Sequence, residues 1–307
     1  MNTLASFFTI LIYPAGLTLV LLGMFYEWLD RKLVARFQNR VGPRWFQPFA
    51  DAVKLLAKEQ IRPGIVNPYL FFGLPVAALA GASTAALYVP LLGFAPPSSF
   101  SGDLIVTLYL LSLPTMCVGL AGWNTTSRFS VIGATRSLTQ LFAYEAPFLL
   151  ALLGPALVAG SWQISEVNEF AQTHWLILTQ PVGFLVALIG LMGKLELPPF
   201  DAPEAETEIV AGALTEYSGR GLMMFKLGKS IELVVGLTLV SAFYLGGLTG
   251  IGSFLIKSIA LLVLMAVMQT LFTRFRIDQT VGLWWRFGAI VVLMQIVAII
   301  LWKGYMP

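Results

Sequence analysis

Long apolar stretches separated by polar loops set the plan of this chain. Eight reach membrane length: Thr3–Tyr26, Tyr69–Leu92, Leu104–Trp123, Leu141–Gly160, Trp175–Met192, Leu227–Leu248, Ile251–Phe272 and Phe287–Trp302. A helix needs about 20 such residues to cross roughly 30 Å of hydrocarbon. The runs are continuously apolar and do not alternate with a two-residue period, so they predict helices and not a barrel. The expected fold class is an all-α polytopic membrane protein of eight transmembrane helices, one domain over residues 1–307. The first stretch is too long, and lacks a basic leader, for a cleaved signal peptide; it is read as a span.

Orientation follows from lysine and arginine. Sixteen of the 19 lie in alternate loops: eight between Arg31 and Arg62, then Arg128 and Arg136, then Lys194, Arg220 and Lys226, then Arg274, Arg276 and Arg286. The intervening loops have none. By the positive-inside rule both termini face outward, and the loops near residues 27–68, 124–140, 193–226 and 273–286 are cytoplasmic.

Composition agrees, with 57% hydrophobic and 11% charged residues and a mean hydropathy of +0.80. A net charge of +3 on this topology argues against nucleic acid as a partner. Cys117 is the single cysteine and His174 the single histidine, so neither a disulfide nor a metal site is expected. Cys117 reads as a packing residue and His174 as an interfacial one. No glycine-rich phosphate loop or nucleophile elbow is present.

The loops hold the chemistry. Ala50–Glu59 has helical spacing, with Val53, Leu56 and Ala57 on one face, and Trp45 and Phe46 precede it. This predicts an amphipathic helix at the membrane surface. Lipid anchoring explains its basic residues; Asp30, Asp51 and Glu59 suit a docking surface or chamber better.

Seven of the 16 acidic residues fall between Glu196 and Glu232. Pro198-Pro199-Phe200 breaks the preceding helix, and Asp201 followed by Glu204 resembles a capping box opening another. In that helix Glu204 and Glu208 would share a face, one turn apart. Like charges so placed resist full ionisation, as a proton relay requires; the alternative is a solvated acidic face. Three spans also carry ionisable residues: Glu145, Lys229 with Glu232, and Lys257. A charge near mid-membrane costs about 2.5–3.5 kcal/mol, so such groups are paired or functional. Lys229 and Glu232 could pair with each other, and Lys257 could snorkel outward.

At these residues the chain resembles the H subunit of complex I, NADH:quinone oxidoreductase, and its relatives. The likeness rests on Asp30-Arg31-Lys32, Gln38-Asn39-Arg40-Val41-Gly42-Pro43, Gln47-Pro48-Phe49-Ala50-Asp51, Arg136-Ser137 with Gln140 and Tyr144-Glu145, and Pro199-Phe200-Asp201 through Glu216-Tyr217-Ser218-Gly219. The resemblance implies a membrane anchor beside a peripheral redox arm, with loops walling a quinone chamber and carboxylates starting a proton path. That path would use Glu145, Asp201, Glu204, Glu206, Glu208, Glu216 and Glu232. Asp30, Arg31, Asp51, Lys54, Arg136, Lys194 and Glu196 would form the chamber or docking surface.

Two departures bear on the branch. Quinone-reducing members typically carry Glu-Thr-Asn-Arg where this chain has Gly193-Lys194-Leu195-Glu196-Leu197-Pro198, and Glu where it has Asp30. The form found here is similar to membrane-bound nickel–iron hydrogenases and sulfane sulfur reductases, which lack a quinone step. The expectation is a non-catalytic coupling subunit of the cell membrane, linking ferredoxin-dependent hydrogen evolution or sulfur reduction to proton or sodium translocation. Nickel–iron and iron–sulfur centres would belong to peripheral partner subunits, and antiporter-like subunits and lipid would surround this chain, which would bind no cofactor itself. The rivals are a quinone-chamber subunit and a stand-alone secondary transporter. The latter would favour internal repeats and broken mid-membrane helices.

Overall fold

The computed structural model describes residues 12–14 and 16–305; of Glu206, Thr207 and residues 303–305 it describes only the backbone. The described residues form helices and turns with no strand. The principal helices are α1 (Leu17–Phe37), α2 (Gln47–Ala57), α3 (Pro68–Ala85), α4 (Asp103–Trp123), α5 (Arg128–Ala159), α6 (Ile164–Thr173), α7 (Pro181–Lys194), α8 (Gly219–Tyr244) and α9 (Ile251–Leu271). The last, α10, runs Ile277–Leu283, passes through a π turn at Trp284–Gly288 and continues as Ala289–Tyr305.

Local chemistry sets the ends. Asn67 accepts a hydrogen bond from Tyr69 N at 3.0 Å with Pro68 following, a regular helix start for α3. Gly160 closes α5 in the left-handed conformation that only glycine adopts without strain.

Five helices among the described residues are long and apolar enough to cross a membrane: α3, α4, α5, α9 and Ile277–Trp302 of α10. The chain is an integral membrane protein by these helices. The other three expected spans differ in instructive ways. Thr3–Tyr26 begins outside the described residues. Trp175–Met192 is broken: a single turn, Leu176–Thr179, ends at Gln180, and α7 starts afresh at Pro181. That helix, Pro181–Lys194, is 14 residues long and too short to be counted among the spans. Leu227–Leu248 lies mostly in α8, which has ample length but forms the core: nearly every residue from Ser230 to Tyr244 is buried.

Helices α1, α3, α7 and α9 pack around α8, with α4 and α5 completing the bundle. At one end, Asp103 Oδ1 accepts from Ile164 N at 2.7 Å and Leu248 N donates to Asn168 Oδ1 at 2.7 Å, tying together the connections that lack lysine and arginine. Lys257 belongs here too. Its ammonium donates to Gly246 O and Gly247 O, capping the chain beyond α8. The lysine- and arginine-bearing connections meet at the opposite, charged end. Helix α5 spans 32 residues, about 48 Å at 1.5 Å per residue, so its first turns project into those connections.

The surface helix α2 forms, and a separate edge of it is seated on the bundle. Pro48 and Ala52 are its buried residues, and Ala52 meets Met24 and Met223 with Phe49 and Leu55 beside them. Val53 and Leu56 are 67% and 49% exposed. One apolar edge seats the helix on the bundle, and a second faces outward with Trp45 and Phe46.

Candidate functional site

The connection between α7 and α8 is not one helix. A 3₁₀ turn at Ala202–Glu204 is followed by the short helix Glu206–Ile209 and a second 3₁₀ turn at Gly212–Leu214. The expected capping box at Asp201 is absent: its carboxylate grips Arg274 instead, Nε to Oδ1 and Nη2 to Oδ2 both at 2.8 Å. Proline at 198, 199 and 203 prevents a continuous helix here. Glu204 and Glu208 therefore turn to different partners.

Several contacts pin the segment to the bundle. Gln140, fully buried on α5, donates to Gly193 O at 2.9 Å and to Phe200 O at 2.8 Å. Phe200 packs against Phe275 and Trp284. Gly133 lets the Gly212 turn approach so closely that a Cβ there would lie 2.4 Å from Ala213 N. Arg136 reaches Glu208 Oε2 at 2.8 Å and Ala202 O at 3.3 Å. Glu208 is held below the usual carboxylate range by its hydrogen bond and charge contact with Arg136.

Beneath this clasp lie two lysine-centred clusters. The Lys194 side chain has no exposure, and its ammonium stands 3.2 Å from Glu145 Oε2 and 3.8 Å from Glu232 Oε1. It also lies 5.6 Å from the Tyr144 ring centre and 5.7 Å from that of Phe148, a further favourable setting for a cation. Lys229 contacts Glu204 Oε1 at 2.7 Å and Glu196 Oε2 at 3.7 Å. Lys229 and Glu232, spaced for a local pair, therefore bind different partners. Glu196 also accepts from Ser137 Oγ at 2.7 Å. It takes a positive φ of 50° just past α7, where glycine is usual, and this turns its side chain inward. Burial pushes its carboxyl above the ordinary range, against the pull of the Lys229 ammonium, and the Glu204 charge adds to the rise.

Two cavities flank this chain of charges. The outer, about 300 Å³, is lined by Glu27, Asp30, Arg31, Leu195, Leu197, Glu204, Lys226, Lys229, Ser230 and Leu233. The inner, about 80 Å³, is bounded by Thr115, Lys194, Glu196 and Glu232 among others. Glu204, Lys226 and Lys229 line both. Asp30, on the polar extension of α1 at the outer mouth, accepts from Gln269 Nε2 at 2.9 Å. Burial lifts its carboxyl to about 6, moderated by Gln269 and Arg31.

The structure thus gathers Glu196, Glu204, Glu232 and Lys194 beside the two cavities, with Glu145 held by Lys194 and with Asp201, Glu208 and Arg136 in the clasp above. Lys194 and Glu196, expected on a docking surface, are buried beside the inner cavity. Asp51 accepts from Gln47 at 3.0 Å and lines a small neighbouring cleft with Arg31, while Lys54 is exposed on α2. Glu216 sits half-buried outside these pairs, and the Glu206 side chain lies outside the described residues. Sequence reasoning missed Glu27, which accepts from Ser230 Oγ at 2.9 Å and pairs with Arg31 at 3.5 Å. It also missed Arg274, Ser137 and the bridging place of Lys229. Three residues before Asp30 on one helix, Glu27 was legible; Arg274, distant in sequence, was not.

A family model described as NADH dehydrogenase matches residues 9–300. The chain belongs to the NADH dehydrogenase family. Within that family it is similar to the NADH-quinone oxidoreductase H subunit from Carboxydothermus hydrogenoformans, 34% identical over 284 residues covering 88% of this chain and 81% of that protein. The corresponding H subunit from Thermomicrobium roseum is 33% identical, covering 89% of this chain and 90% of the other. Among solved structures, a chain of the membrane-bound sulfane sulfur reductase, an archaeal respiratory membrane complex, superposes with a TM-score of 0.83 at 25% identity, covering 92% of this chain and 96% of that one. NADH dehydrogenase relatives of this kind are subunits of multi-subunit complexes, and this chain is a membrane subunit of that complex I-related type.

Proposed function

We propose that this chain is the coupling subunit of a complex I-related respiratory complex, passing the effect of redox chemistry in a peripheral arm into ion movement through the membrane. The observation that carries this is the interleaved series Glu204–Lys229–Glu196 and Glu232–Lys194–Glu145, set between two cavities that share Glu204 and Lys229. A structural core does not need Glu145, Glu196 and Glu232 gathered with the ammoniums of Lys194 and Lys229, because buried charges cost more than apolar packing of the same volume. Charge or movement arriving at the clasp reaches Glu204 first. Glu196, Glu232 and Glu145 take the proton onward, with Asp201, Glu206, Glu208 and Glu216 gathering protons at the charged end.

In this reading the chain has eight spans in one domain, both termini face outward, and the charged end is cytoplasmic in the cell membrane. Asp30, Arg31, Asp51 and Lys54 meet the peripheral arm. Iron–sulfur or nickel–iron centres lie in partner subunits, electrons come from ferredoxin, and the acceptor is protons or a polysulfide. Antiporter-like subunits adjoin the bundle. The Gly193-Lys194-Leu195-Glu196 sequence and the likeness to a sulfane sulfur reductase complex support this branch. Purification of the tagged chain from native membranes tests it: iron–sulfur proteins with hydrogenase or sulfur-reductase activity should copurify. Recovery of the chain alone would favour a solitary transporter.

One observation favours a quinone step as the second reading. The outer cavity, at about 300 Å³, reaches the lower range of small-molecule sites, and the similar subunits are named for NADH-quinone oxidoreductase. Inhibition of the purified complex by quinone analogues, relieved by filling the cavity through Leu233→Phe, would select that reading.

A further inference from the structure

We propose that Lys194 and Lys229 make this path accept protons and exclude sodium and other metal cations; the inference rests on the relay reading above and concerns which ion the relay takes. Glu196, Glu204 and Glu232 line the inner cavity, Glu145 pairs with Lys194 beside it, and each of the four carboxylates already faces an ammonium. Glu145 and Glu232 share Lys194, and Glu204 and Glu196 share Lys229. Lys229, Lys226 and Glu204 line both cavities, so an ion passing between them meets two positive side chains. A metal cation needs several oxygen ligands to replace its hydration shell. To gain them here it would have to displace Lys229, which is one-third exposed, or Lys194, which has no exposure, and leave that charge without its carboxylates. Lys194 has nowhere to retreat, being fully buried against Tyr144 and Phe148.

A proton needs no ligand shell. One N–H bond of the Lys229 ammonium breaks as the proton passes to Glu196, forming a carboxylic O–H. The neutral amine then takes a proton from protonated Glu204, which is recharged from the outer cavity. Both lysine and outer carboxylate end as they began, and one proton has moved inward. The 2.7 Å contact is within direct transfer distance, and the 3.7 Å contact closes by rotation of the flexible lysine stem. The same exchange at Lys194 joins Glu232 to Glu145. A gate that is positive at rest and neutral only while a proton is handed on therefore passes protons by exchange and repels ions that must travel whole.

The test uses the intact purified complex and sodium chloride, with choline chloride holding ionic strength constant. Infrared difference spectra on sodium addition report carboxylates that bind the ion. The wild type should show no sodium-induced band assignable to Glu196 or Glu204. Lys229→Gln, which leaves those two carboxylates without their ammonium, should gain one, removed again by adding Glu196→Gln. Its affinity for sodium should rise roughly tenfold or more, and Lys229→Arg should stay like the wild type. A sodium-induced band in the wild type that Glu196→Gln abolishes overturns the proposal, and needs no variant lacking the lysine to fold. So does a folded Lys229→Gln variant indifferent to sodium. If, separately, Glu232→Gln pumps normally, the relay itself fails whatever sodium does; if that variant is blocked while Lys229→Gln ignores sodium, only the selectivity inference falls.

Discussion

Lys194 lies between Glu145 and Glu232, 3.2 Å from the first and 3.8 Å from the second. One ammonium thus serves two carboxylates with almost no access to solvent. Removing a single partner from a buried ion pair costs about 3–5 kcal/mol, because the charge left behind is uncompensated. Lys194→Met should destabilise the chain by that order, seen as loss of folded complex in detergent unfolding curves. Adding Glu145→Gln should restore part of it, since one stranded charge is then removed. A Lys194→Met variant as stable as the wild type would show that the lysine does not hold this centre.

The clasp makes a different prediction. Arg136 and Arg274 hold the partly exposed Glu208 and Asp201. Such pairs contribute little to global stability and should govern local order instead. Arg136→Ala should speed amide exchange in residues 202–215 without shifting the unfolding midpoint appreciably. The pH dependence has a definite sign: the Glu208 carboxyl is held low by Arg136. Its contribution is present above the ordinary glutamate range and is lost as pH falls through the lowered value. Acidification should therefore loosen the wild-type segment, and Arg136→Ala should abolish that dependence.

Asp30 should behave oppositely. Its carboxyl is raised to about 6, above ~3.9 for an unfolded aspartate, so the folded state holds its proton more tightly. The stability it contributes is complete below the unfolded value and declines as pH rises through about 6. Gln269 donates to the ionised form, so Gln269→Leu should move the transition still higher. Infrared titration of the protonated carboxyl, with Asp30→Asn as the blank, reads both effects; a transition below pH 5 would refute the placement.

How much of this was legible beforehand depended on range. Periodicity and length revealed α3, α4, α5, α9 and α10, because a bilayer imposes one length on any apolar run. Glu145, Glu196, Glu204 and Glu232 stood out because carboxylates are conspicuous among apolar neighbours. The break at Gln180-Pro181 was written in the proline yet masked by hydropathy averaged across it. The seated edge of α2 escaped because Pro48 and Ala52 do not stand out as core residues by hydropathy. Partners distant in sequence, such as Lys194 with Glu145 or Arg274 with Asp201, depend on how helices are arranged, which no local pattern encodes.

Gln140 illustrates a contact that only the arrangement discloses. Its amide nitrogen bonds Gly193 O and Phe200 O inside the protein. Gly193 O keeps the bond from Glu196 N, but the Phe200 carbonyl would be left unpaired, at a cost of about 1–3 kcal/mol. Gln140→Leu should lose about that much and release the segment carrying Glu196, detected as new proteolytic cleavage between residues 196 and 214. Resistance equal to the wild type would assign the anchoring to Phe200 packing alone.

Coupling is tested most directly by proton uptake into vesicles containing the whole complex, measured alongside its redox turnover. With Glu232→Gln or Glu145→Gln, turnover in the peripheral arm should persist while proton movement per turnover falls roughly tenfold or more, as expected when a relay loses a member. Unchanged proton uptake at unchanged turnover in either variant would contradict the account.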